Sequence, residues 1–272
     1  MYERTYLHPS GNHVIQCCAR NLRTGRHPSF ASALHISGAH VTPTTLLDLA
    51  SDIYDDPASL SLAYLETKID FYDIPFTALA SCLLARRKTR LDSTYKGETL
   101  CIGSPESNHC IVLYDKGLQR GYPKGTGPTR LEARLRISKK RRPSLLDFCR
   151  HDSECTARPF GDTCLVDVDK LPLTKREKIA ISKVGLTPFL YRLGALGHDN
   201  PECRNRKRTL ISHAREHIIL DPNFCYAQWS RAYRSSTYHA LSYDSPPTYS
   251  PAPEDTTADI DFDLDLALDI AS

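Results

Sequence analysis

The stretch TRLEARLRI, residues 129–137, restricts the fold more than any other part of the chain. Leu131, Ala133, Leu135 and Ile137 alternate with Arg130, Glu132, Arg134 and Arg136. Side chains repeat every two residues along a strand, so this segment has one dry face and one strongly charged face. SLAYLETKIDFYD, residues 61–73, has the same alternation, with Leu65, Thr67 and Ile69 on one side and Glu66, Lys68 and Asp70 on the other. ETLCIGS and CIVLY supply two shorter strand-like runs, and helices are expected around residues 43–54 and 77–88. Strands and helices mix without a regular βαβ alternation. The expected class is therefore α+β, a mainly antiparallel central sheet flanked by helices, with a smaller helical C-terminal part.

The chain of 272 residues can build one sizeable core or two modest ones, and its 40% hydrophobic and 25% charged content is ordinary for a soluble globular protein. The opening MYERTYLHPSGNHV has no apolar stretch of signal-peptide length, and no window approaches the ~18 apolar residues of a membrane span. A cytoplasmic protein without a membrane partner is expected. The ten cysteines are scattered, several inside apolar runs, and read as small buried hydrophobes rather than a disulfide framework.

Composition divides the chain into residues 1–150, residues 151–235 and a tail, 236–272. The tail passes from SYDSPPTYSPAPEDTTAD to DIDFDLDLALDI, a composition poor in buriable surface, and is expected to be disordered. In the middle part, Thr174 and Glu177 form a capping-box pattern, Thr187 followed by Pro188 reads as an N-cap and first turn, and KVG lies between them. This is the outline of a helix-turn-helix or of an ordinary αα-hairpin.

The net charge of +3 conceals a segregation: residues 254–272 hold seven acidic residues and no Lys or Arg, which leaves +10 on the remainder. Positive charge gathers at Lys139, Lys140, Arg141 and Arg142, and again at Arg206, Lys207 and Arg208 near Arg204. With Arg136, Lys175 and Arg176, these are the candidate DNA-binding residues of a protein that neutralises phosphates.

The segment CIVLYDKG, residues 110–117, brings a phenol, a carboxylate and an amine to the end of an apolar run. Period two puts Tyr114 and Lys116 on one face, and a cation beside a phenol favours the attacking phenolate. Asp70 closes another strand, Asp73 follows just after it, and Glu132 lies midway along TRLEARLRI. If these strands are neighbours, the carboxylates would suit Mg²⁺ or Mn²⁺, and either Asp70 or Asp73 could face the ion. Two other metal patterns compete. HAREH, from His213 to His217, fits an inverted zinc-protease motif, and Cys149, His151, Cys155 and Cys164 offer zinc ligands without paired C-x-x-C spacing.

GETLCIGSPESNHCIVLYDKGLQRG, with TRLEARLR after it and ETKIDFYD before it, resembles the replication initiation factor family, the rolling-circle initiators of small plasmids and filamentous phages. LHISGAHVTP is similar to the segment that precedes the first acidic strand in the phage branch, so the resemblance covers roughly residues 30–150. It implies an origin-specific nickase and strand transferase that forms a covalent 5′-phosphotyrosine. Tyr114 would be the nucleophile, Asp70 and Glu132 metal ligands, Lys116 a phosphate or phenolate stabiliser, and Arg130 and Arg134 holders of backbone phosphates. The implied partner is origin DNA, single-stranded or supercoiled; the composition of the acidic tail fits recruitment of a host helicase or single-strand-binding protein, or competition with DNA for the basic face, and a homodimer is compatible with this. A DNA-binding regulator on the same fold, without nicking, is the alternative.

Overall fold

The computed structural model describes residues 2–7, 13–18, 32–37, 43–52, 56, 59–85, 89–92, 99–104, 107–150, 156–241 and 260–270, with side chains described for 45–52, 56, 59–85, 99–104, 107–150 and 156–231. In chain order the elements are β1 (Tyr2–Leu7), β2 (His13–Cys18), β3 (Ser32–Ser37), α1 (Pro43–Ser51), β4 (Leu60–Phe71), α2 (Phe76–Cys82), β5 (Leu83–Leu84), β6 (Thr89–Asp92), β7 (Thr99–Ile102), β8 (His109–Asp115), α3 (Lys116–Gln119) and β9 (Thr129–Arg136). There follow α4 (Leu145–Arg150), β10 (Cys164–Val166), α5 (Lys175–Val184), α6 (Leu186–Leu196), α7 (Pro201–Glu216), β11 (Ile218–Leu220), α8 (Pro222–Leu241) and β12 (Ile260–Ile270).

The expected α+β class holds: a nine-stranded antiparallel sheet runs in the order β1-β2-β3-β12-β4-β9-β8-β7-β6, and a small antiparallel sheet runs β11-β10-β5. β9 pairs with β4 on one side and β8 on the other, so the three strands that carry the candidate chemistry are neighbours. Register sets their faces. Leu65 lies opposite Leu135, Ile69 opposite Leu131, and Leu131 opposite Leu113, which puts the apolar residues of all three strands on one side. That side joins Leu46, Leu49, Phe148, Phe160 and Tyr226 in the main core, where α1, α4 and α8 pack together. Truncating a residue as enclosed as Leu131 to alanine would cost about 2–5 kcal/mol.

Because Phe160, Leu165 and Tyr226 belong to this core, the expected boundary at residue 150 is crossed by packing. Helices α5, α6 and α7 enclose a second core of Leu84, Val166, Ile181, Leu186, Leu190 and Leu210. The capping box forms as expected: Thr174 Oγ1 accepts from the Glu177 amide at 3.3 Å, and Glu177 Oε2 accepts from the Thr174 amide at 2.8 Å. The second helix start differs from expectation. Gly185, at φ 88°, turns the chain between α5 and α6, and a Cβ there would stand 2.9 Å from the Ala80 carbonyl oxygen. Thr187 lies inside α6 rather than at its N-cap. Its hydroxyl donates to the Leu83 carbonyl at 2.5 Å and accepts from the Ala85 amide at 2.9 Å, which buries the start of α6 against β5. A helix anchored this way cannot lay its first turn in a major groove.

The expected helix over 77–88 stops at Cys82 because Leu83 and Leu84 pair with β10; residues 86–88 lie outside the described residues. The structure also departs from expectation at both ends of the segment read as a disordered tail. Residues 236–241 continue α8, and residues 260–270 form β12, paired along β4 from Phe71 to Leu60. The physical reason is that alternating acid and apolar residues have strand period as well as a solvating composition. Residues 242–259 lie outside the described residues.

Candidate active site

The charged face of β9 supplies the centre of the site. Across it, Arg130 lies opposite Asp70 and Tyr114, Glu132 opposite Lys68 and Val112, and Arg134 opposite Glu66 and Cys110. Glu66, Lys68, Asp70, Arg130 and Glu132 are all buried, so every charge here needs a partner.

Tyr114 donates its hydroxyl hydrogen to Glu132 Oε2 at 3.1 Å. The other oxygen of Glu132 accepts from Arg134 Nε at 2.5 Å, with Arg134 Nη2 also bonded to it. Arg134 Nε lies 3.1 Å from Glu66 Oε2 as well, so one guanidinium joins two carboxylates. Glu66 Oε2 accepts a second phenol, Tyr64, at 2.6 Å, and Lys68 Nζ stands 3.3 Å from Glu66 Oε1. The result is a continuous chain of Tyr64, Glu66, Arg134, Glu132 and Tyr114.

Protonation follows from the surroundings. Burial, then the charge of Glu132, push the Tyr114 phenol well above its ordinary value, and Arg130 only partly offsets them. Tyr64 is pushed up in the same way by burial and Glu66. Burial works against the charge of Arg134, but Glu132 and Glu66 outweigh it and hold the guanidinium protonated. Each phenol therefore keeps its proton and presents it to a carboxylate. This is the geometry of general-base activation, not of a pre-formed phenolate.

Lys116 differs from its expected role. The strand ends at Asp115, so Lys116 begins α3; its Nζ donates to Gln119 Oε1 at 2.7 Å and lies 5.9 Å from the centre of the Tyr114 ring. It contacts the ring rather than the phenol oxygen, and burial, reinforced by Arg130 and Arg120, lowers its pKa. Asp115 is the N-cap of α3, accepting from the Leu118 amide at 2.8 Å and the Gly125 amide at 3.2 Å. Behind it Gly117 touches Gly127 so closely that a Cβ on Gly117 would stand 2.4 Å from the Gly127 Cα. YDKG thus closes a strand, caps a turn and seats a loop, with Tyr114 left on the charged face.

The expected metal ligands are not gathered. Asp70 receives Arg130 Nε and Nη2 at 2.6 Å each, which occupies both of its oxygens in a bidentate, buried pair. Asp73 is exposed in the turn after β4, at φ 59°, and Glu132 is engaged by Tyr114 and Arg134. Among the described residues no group of three His, Cys, Asp or Glu side chains is placed to hold a metal. Cys149 and Cys164 are buried cysteines outside any disulfide, burial pushing Cys164 up to about 11, while His151 and Cys155 lie outside the described residues. His213 sits on α7 and His217 just after it, with Glu216 3.9 Å from His213.

Of the basic residues, Arg136, Lys139, Lys140 and Arg141 are exposed where β9 ends, and Arg134 is 42% exposed beside them. Arg142 donates to the Ile137 carbonyl at 3.1 Å. Lys175, Arg176 and Arg208 are exposed, and Lys207 packs against Gly194. Arg206 is tied internally to Glu177 and the Pro172 carbonyl. Sequence reasoning missed Tyr64 and gave Glu66 no role, although extending the β4 alternation back from Asp70, Lys68 and Glu66 reaches Tyr64 on the same face. It also missed that Asp261, Asp263 and Asp265 of β12 take register positions opposite Asp70, Lys68 and Glu66.

No protein-family model matches the chain, and no curated protein matches it. Among the described residues no helix is long and apolar enough to cross a membrane.

Proposed function

We propose that this protein is a rolling-circle replication initiator, an origin-specific DNA nickase and strand transferase in which Tyr114 attacks a phosphodiester. The observation that carries the reading is the Tyr114 hydroxyl donating to Glu132 on a charged sheet face beside a half-exposed Arg134. Tyr114 Oη bonds to phosphorus, the bond to the 3′ oxygen breaks, and the phenol proton passes by way of Glu132 to the departing 3′ oxygen, leaving the 5′ phosphate on the tyrosine and a free 3′ hydroxyl on the DNA. Arg134 can turn its guanidinium toward the phosphate, where charge grows as the bond breaks. Arg136, Lys139, Lys140 and Arg141 continue the positive track along the backbone.

Glu132 is taken up by Tyr114 and Arg134, and Asp70 by Arg130, so this attack uses no Mg²⁺ or Mn²⁺, and comparing Mn²⁺ with EDTA reads whether an ion contributes. Incubating the full chain with single-stranded and supercoiled DNA of its own replicon, with Mn²⁺ or EDTA, tests the reading. A covalent protein–DNA adduct is expected in the wild type and absent in Tyr114→Phe. Sequence-specific binding with no nick and no adduct would overturn the enzyme and assign the regulator.

A further inference from the structure

Helices α5 and α6 have a second apolar face that the second core does not use. Ile181, Leu186 and Leu190 are buried with Leu210 of α7. On another side of the same two helices, Ile179, Ala180 and Val184 of α5 and Phe189, Leu193 and Leu196 of α6 recur at helical spacing and line a groove of about 400 Å³. Ile179 is 47% and Leu196 63% exposed, so no described element covers this seam. Arg176, Lys183 and Arg192 complete its lining, and no carboxylate enters it. Among the described residues none of these three cations makes an ion pair, whereas Lys170, Lys178 and Arg206 in the same helical part face Asp167, Asp169 and Glu177 at 3.3, 3.4 and 2.6 Å. Charge is balanced around the groove and left bare at its rim.

We propose that the α5–α6 groove is a docking site for an acidic amphipathic helix of a partner protein. Apolar side chains at i, i+3, i+4 and i+7 of that helix enter the groove, and its flanking Asp or Glu side chains meet Arg176, Lys183 and Arg192. The two stripes that form the groove have the same spacing, so a third helix laid along them continues the packing already made between α5 and α6. A nucleic-acid backbone fits less well, because its phosphates would lie over a floor that offers no hydrogen bond. Arg176, a candidate DNA contact in the sequence, is thereby assigned to a protein partner. One helix in one groove makes a small interface, so an affinity on the order of 1–100 μM is expected. The inference stands apart from the nickase reading and does not depend on Tyr114.

The test uses the full chain and labelled synthetic helical peptides of roughly four turns. All share Leu at the four anchor positions and differ in carrying Glu, Lys or Ser between them. Fluorescence anisotropy is expected to show binding of the Glu peptides, weakening as salt is raised, and none of the Lys peptides. Ile179→Asp and Leu196→Asp, both at exposed positions, should weaken that binding by about tenfold or more. The double variant Lys183→Glu, Arg192→Glu should reverse the preference, so that Lys peptides bind and Glu peptides do not. That gain of binding cannot come from an unfolded protein. Absence of binding by the Glu peptides, or binding that neither the Asp variants nor the charge reversal changes, overturns the site. Vesicles of phosphatidylglycerol and single-stranded DNA are titrated in parallel. If Leu196→Asp weakens one of these while the wild type binds no peptide, the helix is overturned and the groove passes to a lipid surface or to nucleic acid.

Discussion

Arg130 and Arg134 stand four residues apart on the same face of β9, yet they are used in opposite ways. The Arg130 guanidinium closes on one carboxylate, Asp70, with two bonds of 2.6 Å, and its side chain is 6% exposed. Arg134 divides itself between Glu66 and Glu132, and its side chain is 42% exposed. A carboxylate with both oxygens filled by one fork is a strut. A carboxylate that holds a cation on one oxygen and a phenol on the other is poised to take a proton. The same pairing of arginine with carboxylate thus gives structure at one end of the face and, in the proposed function, chemistry at the other.

The largest expected effect comes from breaking the strut. Asp70→Asn leaves the buried Arg130 charge without its counter-ion, which should lower unfolding free energy by about 3–5 kcal/mol in urea titration. Glu132→Gln tests the opposite member. The amide keeps the shape and still accepts from Tyr114, but it cannot take up the proton, so adduct formation should slow by about 10² to 10⁴-fold in single-turnover assays. If Asp70→Asn abolished adduct formation in protein that remains folded while Glu132→Gln left the rate untouched, the two roles would be exchanged.

The difference between these two ends was only partly legible in the sequence. Period two correctly put Arg130, Glu132 and Arg134 on one face, because side-chain alternation is a local property of an extended chain. Which strands flank β9 is set by pairings such as Asp70 with Arg130, sixty residues apart in sequence, and no local pattern encodes them. That is why Asp70 read as a metal ligand when it is an arginine's counter-ion. Lys116 was misplaced by a single element boundary, since Asp115 caps α3 and ends the strand before it. The β12 segment read as a solvating tail because its composition and its periodicity point in different directions, and pairing with β4 decides for periodicity. Tyr64 was visible in the alternation, but a tyrosine gains meaning only when a proton acceptor is known to lie beside it.

A smaller effect sharpens the chemical end. Lys116 sits 5.9 Å from the Tyr114 ring centre and bonds Gln119, so it steadies the ring without touching the reacting oxygen. Lys116→Met should slow adduct formation by less than about tenfold, in line with the ~0.5–1 kcal/mol of an accessible cation–π contact. A loss as deep as that of Glu132→Gln would return Lys116 to the phosphate.

The smallest expected effect extends the comparison to a third arginine–carboxylate pair, in the helical part of the chain. Arg206 Nε and Nη2 donate to the two oxygens of Glu177 at 2.9 and 2.6 Å, a fork like that of Arg130, but at the protein surface. The bond to Arg206, aided by the capping interactions with Thr174, holds Glu177 down at about 2. A carboxyl whose pKa is lower folded than unfolded stabilises the fold above its unfolded value, and that contribution is lost as pH falls toward the folded one. Stability should therefore decline between about pH 5 and pH 2 by a share due to Glu177, of about 1 kcal/mol once solvent screening is allowed for. Glu177→Gln should remove that share at neutral pH and flatten the acid slope, as read from urea midpoints at pH 7 and pH 3. If the variant instead costs as much as Asp70→Asn, exposure does not separate the two forks, and the strut at Arg130 owes its strength to bidentate geometry rather than to burial.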